Sequence, residues 1–178
     1  MQPWNILATS LEGRRDALLI VLRRLGQFRS GGYRNVIAGR VGDVSAFLDR
    51  VREALASDPL LPTALAKIVP IEVTLRFDPN DAPATLAAAA ETFGDRLAGQ
   101  SFFVRLERRG FKGRLHSPTL EREVGERVWR ALEARGHTPR VDFRDPDHVL
   151  VIETLGEEAG LALLSRQLRQ TYPFVRVR

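Results

Sequence analysis

The amino-acid sequence predicts an α+β (α/β) protein made of two domains. Apolar stretches with the two-residue period of β-strands alternate along the chain with stretches that have the helical period. The segment FDPNDAP, residues 77–83, concentrates prolines and turn-forming side chains between these patterned stretches. With 178 residues, 44% of them hydrophobic, the chain can bury the cores that two small domains need. We therefore predict a first domain over residues 1–79 and a second over residues 80–178.

The first domain is predicted to have the element order β-α-β-α-β. Its predicted strands cover residues 4–9, 36–41 and 68–75. Leucines at helical spacing from Leu11 to Leu25 predict the first helix, and Gly26 ends it. Asp43 predicts the N-cap of the second helix, whereas residues 57–67 fit no element. This order resembles an incomplete ferredoxin-like domain.

The second domain is predicted to begin with an alanine-rich helix over residues 84–97. A strand around Phe102 follows, and a second helix with a buried stripe, Leu120 to Leu132, ends at Gly136. Further strands are predicted at residues 141–143, 149–152, 161–164 and 174–177, with a short helix over residues 166–171.

Composition limits the functional classes that the chain can belong to. The formal net charge of +5 favours a polyanionic partner, although net charge alone does not identify one. The absence of cysteine excludes disulfides, thiolate nucleophiles and cysteine-bound metals. The N-terminal residues lack the features of a secretion signal, and no apolar run approaches about 18 residues. We therefore expect a cytoplasmic protein without a membrane span.

The strand around Phe102 leads into a basic turn, residues 108–116, within the segment SFFVRLERRGFKGRLHS. The cationic residues of this segment are Arg105, Arg108, Arg109, Lys112 and Arg114. Ser117 as N-cap and Pro118 at the first helical position predict a helix whose free amides face the same region. Because guanidinium groups and helix N-termini both attract phosphate, the segment predicts a nucleic-acid-binding site.

Aromatic side chains and further cations extend the predicted binding site. We expect Phe111 or His116 to stack on an unpaired base, and Arg144 to add a positive charge beside the Asp145–Pro146–Asp147 turn. A glycine-rich turn in the first domain predicts an extension along the RNA body. The residues of this extension are Arg29, Tyr33 and Arg34.

The predicted RNA-binding residues also have simpler interpretations. The basic turn can also be a solvated loop that keeps an arginine-rich protein soluble. Trp4, Trp129 and the pair Phe102 and Phe103 lie in periodic apolar segments, which favours core positions over base stacking.

Other residues suggest a metal site or an active site only weakly. The four acids Asp142, Asp145, Asp147 and Glu153 are better explained by a turn than by a metal, because strand alternation separates them. The three histidines lack zinc-binding spacing, and no serine lies in a nucleophile elbow. We expect no metal, no cofactor, no catalytic residue and therefore no enzyme activity.

Three segments of the second half together resemble the THUMP domain, an RNA-binding module of tRNA-modifying proteins. They are FFVRLERRG at residues 102–110, the helix start at Ser117 followed by EREVGERV, and VDFRDPDHVLVIE at residues 141–153. The resemblance covers about residues 84–178, and the preceding part is similar to the ferredoxin-like domain that usually accompanies a THUMP domain. Asp145 departs from the pattern, which often has asparagine there.

Among THUMP proteins, the chain most resembles small proteins without a catalytic domain that bind tRNA for a cytidine acetyltransferase. The run LGEEAGLALLS, residues 155–165, supports this likeness. The resemblance implies that the protein recognises the tRNA acceptor end and presents tRNA to a separate enzyme. An alternative is a non-catalytic RNA-binding subunit of a split tRNA methyltransferase or another tRNA-modifying enzyme, and a third possibility is a protein-interaction module.

Overall fold

The computed structural model describes residues 3–177, and the chain divides into two compact units. The second unit is Glu72–Leu168, and the first comprises the residues before and after it. The chain changes sheet within two residues: the Ile71 N–H donates to the Asn5 carbonyl, and the Glu72 N–H donates to Leu161, at 2.8 and 2.9 Å. Our predicted boundary at residues 79 and 80 therefore differs from the observed one, because β-branched residues continue across the change of sheet.

The first unit is a complete ferredoxin-like domain. Its elements are β1 (Ile6–Ser10), α1 (Arg15–Leu22), β2 (Gln27–Ser30), β3 (Val36–Arg40), α2 (Val44–Ser57), α3 (Leu61–Ala64) and β4 (Leu65–Pro70). The strands form an antiparallel sheet in the order β2-β3-β1-β4. Strand β2 was not predicted, because this four-residue edge strand buries only Phe28 and so lacks a clear alternation.

Local signals in the first unit were partly correct. Asp43 caps α2 and accepts the Ala46 N–H at 2.9 Å, as predicted. The leucine stripe was too long, because α1 buries Leu18 and Leu22 whereas Leu11 precedes the helix and is 43% exposed. Phe28 stacks on Phe47, with ring centroids 5.5 Å apart. A Cβ on Gly39, opposite Phe28, would lie 2.1 Å from that ring, so only glycine fits there.

The C-terminal residues belong to the first unit. The predicted strand at residues 174–177 is wrong, because the structure has only an isolated bridge between Val175 and Ile68. The Tyr172 hydroxyl donates to the Asp49 carboxylate at 2.7 Å, and this hydrogen bond raises the pKa of Tyr172. This bond ties the C-terminal segment to α2.

The second unit contains a mixed five-stranded sheet. Its elements are β5 (Val73–Arg76), α4 (Ala82–Glu91), α5 (Gly94–Leu97), β6 (Ser101–Glu107), α6 (Ser117–Ala134), β7 (Arg140–Val141), β8 (His148–Leu155) and β9 (Glu158–Ser165), and α7 (Arg166–Thr171) crosses the division between the units. The strand order is β5-β9-β8-β6-β7, in which β6 runs parallel to β7 and β8. The mixed α+β class is as predicted.

Helices α4 and α6 supply the core of the second unit against β6, β8 and β9. The predicted stripe of α6, from Leu120 to Leu132, is buried. The single helix predicted over residues 84–97 is two helices, with a break at Thr92 and Phe93. Across residues 3–177, no helix has both the length and the apolar character needed to cross a bilayer.

Candidate nucleic-acid interface

The basic turn joins β6 to α6 and is fixed to the β8–β9 hairpin. The Arg109 N–H donates to the Thr154 hydroxyl at 2.9 Å, and that hydroxyl donates to the Arg109 carbonyl at 3.2 Å. The Gly156 N–H donates to the same carbonyl at 2.8 Å. Because three hydrogen bonds hold one residue, the start of the turn has a defined position.

Phe111 anchors the middle of the turn. Its φ of +50° is uncommon for a residue with a side chain, and it lies between Gly110 and Gly113, which also have positive φ. The ring meets Phe77 edge-on at 6.0 Å and packs against the core, which holds this backbone conformation. The Arg114 guanidinium lies 5.6 Å above the ring. Phe111 can therefore stack on a base only where Arg114 moves aside.

Arg109 is a structural counterion. Glu107 and Glu153 are directly paired residues of parallel strands β6 and β8, and both are buried. Arg109 contacts Glu153 through Nη1 and lies 3.1 Å from Glu107 through Nη2, with its own side chain only 12% exposed. Because two buried carboxylates contact this guanidinium, Arg109 does not present a free positive charge to a phosphate.

Arg105 is also held by the second unit itself. Its Nη1 lies 3.6 Å from the Glu121 carboxylate on α6, and its guanidinium lies 5.4 Å from the Phe103 ring centroid. Glu121 in addition accepts the Leu106 N–H at 2.8 Å. Arg105 therefore contributes less to a phosphate site than the sequence predicts.

The other residues predicted to bind RNA in the turn form no ion pair with a carboxylate of residues 3–177. Arg108 donates to the Gly110 carbonyl, and Arg114 donates to the Asn80 side-chain carbonyl at 3.2 Å. These acceptors are uncharged, so neither bond neutralises a guanidinium. Lys112, Arg114 and His116 are exposed. The structure thus keeps Arg108, Lys112, Arg114 and His116, all within one turn, as candidate ligands.

The start of α6 differs from the prediction. Ser117 is the first helical residue, and His116 is the N-cap, in extended conformation with φ −115° and ψ 112°. The His116 side chain contacts the Thr119 hydroxyl at 2.9 Å and does not cap a backbone amide. The predicted Ser117 cap is wrong because Pro118 occupies the second helical position instead of the first.

A polar cleft of about 490 Å³ lies beside the basic turn. Arg114 and Phe111 line one side, and residues 76–80 line the other. Arg76 in this wall pairs with Glu157 at 2.5 Å. The volume is sufficient for a nucleotide-sized group, and Arg114 supplies a cation at its edge.

The Asp145–Pro146–Asp147 turn is a hydrogen-bonded structural element. Asp142 accepts the N–H groups of Arg144 and Asp145, which lowers the pKa of Asp142. Asp147 accepts the N–H and hydroxyl of Ser101, which lowers the pKa of Asp147. Arg166 bonds both Asp145 and Asp147 at 2.9 Å. These contacts explain the acidic cluster, and Arg144 beside it is exposed.

The residues of the first unit that were predicted to bind RNA differ in burial and in their partners. Arg29 is half-buried, and its Nη1 donates to the Ser30 carbonyl at 3.1 Å. Arg34 pairs with Glu12, and both side chains are more than 65% exposed, so solvent screens the pair. Tyr33 is half-exposed in the turn that precedes Arg34.

Comparison with known proteins identifies the second unit. Residues 83–164 match the THUMP domain family. The chain carries a THUMP domain. The match covers the basic turn, α6 and the Asp145–Pro146–Asp147 turn, which are the segments that suggested this family in the sequence. No curated protein matches the sequence of the chain.

Three solved structures share the fold of the chain. TrmN from Thermus thermophilus is 26% identical, with a TM-score of 0.64 over 89% of this chain and 44% of its own. A 4-thiouridine synthetase in complex with RNA and ATP is 15% identical, with a TM-score of 0.53. The match covers 91% of this chain and 41% of the synthetase. The putative methyltransferase SMU.472 with bound SAH is 14% identical, with a TM-score of 0.57. The match covers 90% of this chain and 41% of SMU.472. The chain spans less than half of each of these proteins.

Positive charge is divided unequally between the THUMP-containing unit and the ferredoxin-like unit. The ferredoxin-like unit has 13 Lys and Arg against 6 Asp and Glu, a formal charge of +7, whereas the other unit has 14 against 16, a charge of −2. Most of the cationic contacts predicted from the sequence lie in the THUMP domain, and several further exposed arginines of the first unit were missed. Counting charge separately over residues 1–71 would have found them. They include Arg23, Arg24, Arg40 and Arg50.

Proposed function

We propose that this protein is a cytoplasmic tRNA-binding adaptor that presents tRNA to a separate modifying enzyme. The observation that carries the proposal is the THUMP domain with a turn in which Arg108 and Arg114 donate to uncharged acceptors. The 26% identity to TrmN and the fold shared with a synthetase solved in complex with RNA support an RNA ligand. The net charge of +5 acts in the same direction.

In this proposal the acceptor end of tRNA binds at the basic turn. Arg108, Lys112 and Arg114 bind backbone phosphates, and the cleft beside Arg114 receives a terminal nucleotide. Phe111 or His116 contacts an unpaired base, and Arg144 binds phosphate separately. Three single-strand phosphate contacts give a slope of log K against log salt of roughly −2. The exposed arginines of the ferredoxin-like unit, with Arg29, Tyr33 and Arg34, add contacts to the tRNA body.

The first experiment tests the basic turn. Changing Lys112 and Arg114 together to Ala should weaken tRNA binding on the order of tenfold, because two charged contacts are lost. The matched control changes Arg127 and Arg135, two exposed arginines of α6 and its C-terminal end. Filter binding at fixed salt measures both. An equal loss of affinity in the two double variants would reject the turn as the binding site.

A second experiment tests recognition of the acceptor end. Binding of intact tRNA is compared with binding of the same tRNA without its terminal CCA. We expect weaker binding of the shortened tRNA because unpaired bases supply the stacking and edge contacts. Equal affinities would contradict end recognition while leaving general RNA binding in place.

We propose a cytidine acetyltransferase as the partner enzyme, on the basis of the sequence likeness at residues 102–165. Purified protein should increase the acetylation of tRNA by that enzyme in the presence of ATP and acetyl-coenzyme A. The Lys112 and Arg114 double variant should reduce this stimulation, and the control variant should not. No stimulation by the wild-type protein would reject this partner.

A second candidate is the RNA-binding subunit of a split tRNA methyltransferase. The observation that favours it is the fold shared with the putative methyltransferase that binds SAH. Recovery of the protein with a methyltransferase chain, together with tRNA methylation that requires both chains, would favour this candidate over the acetyltransferase adaptor. Failure to bind any tRNA at low salt would instead favour a protein-interaction module.

A further inference from the structure

An apolar cleft of about 670 Å³ lies in the second unit between α6 and the edge of β6. Its floor and walls include Phe103, Val104, Trp129, Val141 and Phe143. None of the candidate RNA-binding residues of the basic turn lines it. The cleft is therefore a separate feature of the THUMP-containing unit, and its occupant does not follow from RNA binding.

The cleft runs along an open strand edge. Strand β7 pairs with β6 only at Ser101 and Phe102. From Phe103 to Glu107, β6 has a strand neighbour on the β8 side alone, within the part of the chain that the structure describes. The Leu106 N–H on the open side donates to the Glu121 side chain instead of to a strand. An open edge offers backbone hydrogen-bonding groups to an added strand.

Exposed apolar side chains mark the end of this edge. Phe143 is 75% exposed and Val141 is 47% exposed, the two largest values for this unit among the exposed large hydrophobic residues within 3–177. The Phe143 ring lies 5.6 Å from Phe103, and Trp129 is half-exposed on the α6 side of the cleft. Aromatic residues grouped around a groove are characteristic of binding surfaces.

Gly125 in the middle of α6 keeps the cleft deep. Glycine in a helix interior is destabilising relative to alanine. A Cβ at this position would meet only Val104, at an ordinary contact distance of 3.6 Å, so packing does not require glycine. The missing side chain instead leaves room over Val104 on the floor of the cleft.

The charges around the cleft distinguish between polypeptide and nucleic acid. The charged lining residues are Glu121, Arg122, Glu126, Arg130 and Glu133. Arg105 pairs with Glu121, which leaves the exposed carboxylates of Glu126 and Glu133 beside Arg122 and Arg130, so the lining has no excess of cations. A lining without a cationic excess disfavours a phosphate backbone, and the two exposed carboxylates can pair with basic side chains of the occupant.

We propose that this cleft binds an extended segment of a partner protein, which adds as a strand to the open edge of β6. The segment places apolar or aromatic side chains between Phe143, Phe103 and Trp129, and alternates them with Lys or Arg that face Glu126 and Glu133. Backbone hydrogen bonds to β6 supply affinity, and the apolar pocket supplies specificity.

The test uses a phage-displayed library of random dodecapeptides, selected on the full-length protein. We expect the enriched peptides to alternate apolar with basic residues. A synthetic enriched peptide should bind with at least tenfold lower affinity to Phe143→Ser, which loses the exposed ring, and to Gly125→Leu, which fills the cleft. The matched control is Ile20→Ser, because Ile20 is 57% exposed on α1 of the other unit. This control should bind the peptide as the wild type does.

Two further measurements make the outcome decisive. N-methylation of alternate peptide amides should abolish binding, since it removes the donors that pair with a strand edge. Circular dichroism checks that Gly125→Leu is folded, and Phe143→Ser tests the same cleft from an exposed position. The proposal is overturned if no peptide is enriched, if enriched peptides bind both cleft variants unchanged, or if the N-methylated peptide still binds. It is also overturned if both cleft variants weaken tRNA binding, since the cleft is then an RNA surface.

Discussion

The ferredoxin-like unit and the THUMP-containing unit use arginine in different ways. In the THUMP-containing unit, many arginines pair with carboxylates of the same unit, such as Arg109 with Glu107 and Glu153. In the ferredoxin-like unit, several arginines donate instead to backbone carbonyls. These are Arg23 to Phe28, Arg29 to Ser30, Arg40 to Pro3, Arg50 to Arg24 and Arg176 to Ala66.

This difference accompanies the opposite formal charges of the two units. A carboxylate partner cancels the charge of a guanidinium, whereas a carbonyl partner orients it and leaves the charge in place. The formal charges of +7 and −2 follow from the numbers of charged residues: the ferredoxin-like unit has only 6 Asp and Glu for 13 Lys and Arg, so many of its guanidinium groups meet carbonyls instead of carboxylates. An abundance of arginine in a segment is therefore a poor guide to its electrostatic potential until the acceptors of those arginines are known.

The largest effect is expected from Arg109 in the THUMP-containing unit. Arg109→Ala removes the guanidinium that contacts two adjacent buried carboxylates and should lower the free energy of unfolding by about 3–5 kcal/mol. Urea denaturation followed by circular dichroism measures the loss. Arg108→Ala is the matched control, because Arg108 donates only to a carbonyl in the same turn, and its effect should be small. Equal stability of the two variants would contradict the structural role of Arg109.

The second-largest effect is expected on tRNA binding when positive charge is removed from the ferredoxin-like unit. Changing Arg24, Arg40 and Arg50 together to Gln should weaken tRNA binding on the order of tenfold and make the salt slope shallower by up to about 2. The control changes three exposed residues of the other unit, Arg122, Arg127 and Arg135, to Gln. Binding titrations across salt concentrations measure both slopes. A larger change of the salt slope in the control would contradict the proposal that the ferredoxin-like unit supplies these tRNA contacts.

The two units should also differ in their response to pH. The pKa values of Asp142 and Asp147 are lowered by hydrogen bonds in the folded THUMP-containing unit. Their contribution to stability is present above the unfolded value of 3.8 and is lost as pH falls through the lower folded values. Asp147→Asn should reduce the acid dependence of unfolding measured by denaturation between pH 5 and about 2.

Alkaline pH should affect the ferredoxin-like unit instead. The pKa of Tyr172 is raised because its hydroxyl donates to Asp49. This contribution is present below the unfolded value of 10.0 and is lost as pH rises through the folded value. Tyr172→Phe removes the titrating group and should flatten the stability profile above pH 10. An unchanged alkaline profile would count against this hydrogen bond.

The smallest effect is expected where the ferredoxin-like unit does pair an arginine with a carboxylate. Arg34 and Glu12 are both largely exposed, so Arg34→Ala should change stability by less than about 1 kcal/mol. Thermal unfolding at low and high salt checks this expectation, with Arg109→Ala as the comparison. A loss as large as that of Arg109→Ala would show that exposure does not separate the two kinds of pair.

Local sequence patterns predicted much of the architecture. The buried stripe of α6, the Asp43 cap and the strand leading to the basic turn were all evident, because helix and strand periods follow from backbone geometry alone. Short edge strand β2 was missed, and β4 and β5 were predicted as one strand. The reason is that neither an edge position nor a change of sheet alters the local pattern.

The candidate site was predictable as a segment but not residue by residue. The sequence by itself determined that cations and glycines gather between β6 and α6. Only the tertiary structure decided which of those cations are available, because strand register places Glu153 beside Glu107, 46 residues apart in the chain, and Arg109 contacts both. Periodicity is a property of neighbouring residues, whereas the electrostatic partner of a side chain depends on chain segments that only folding brings together.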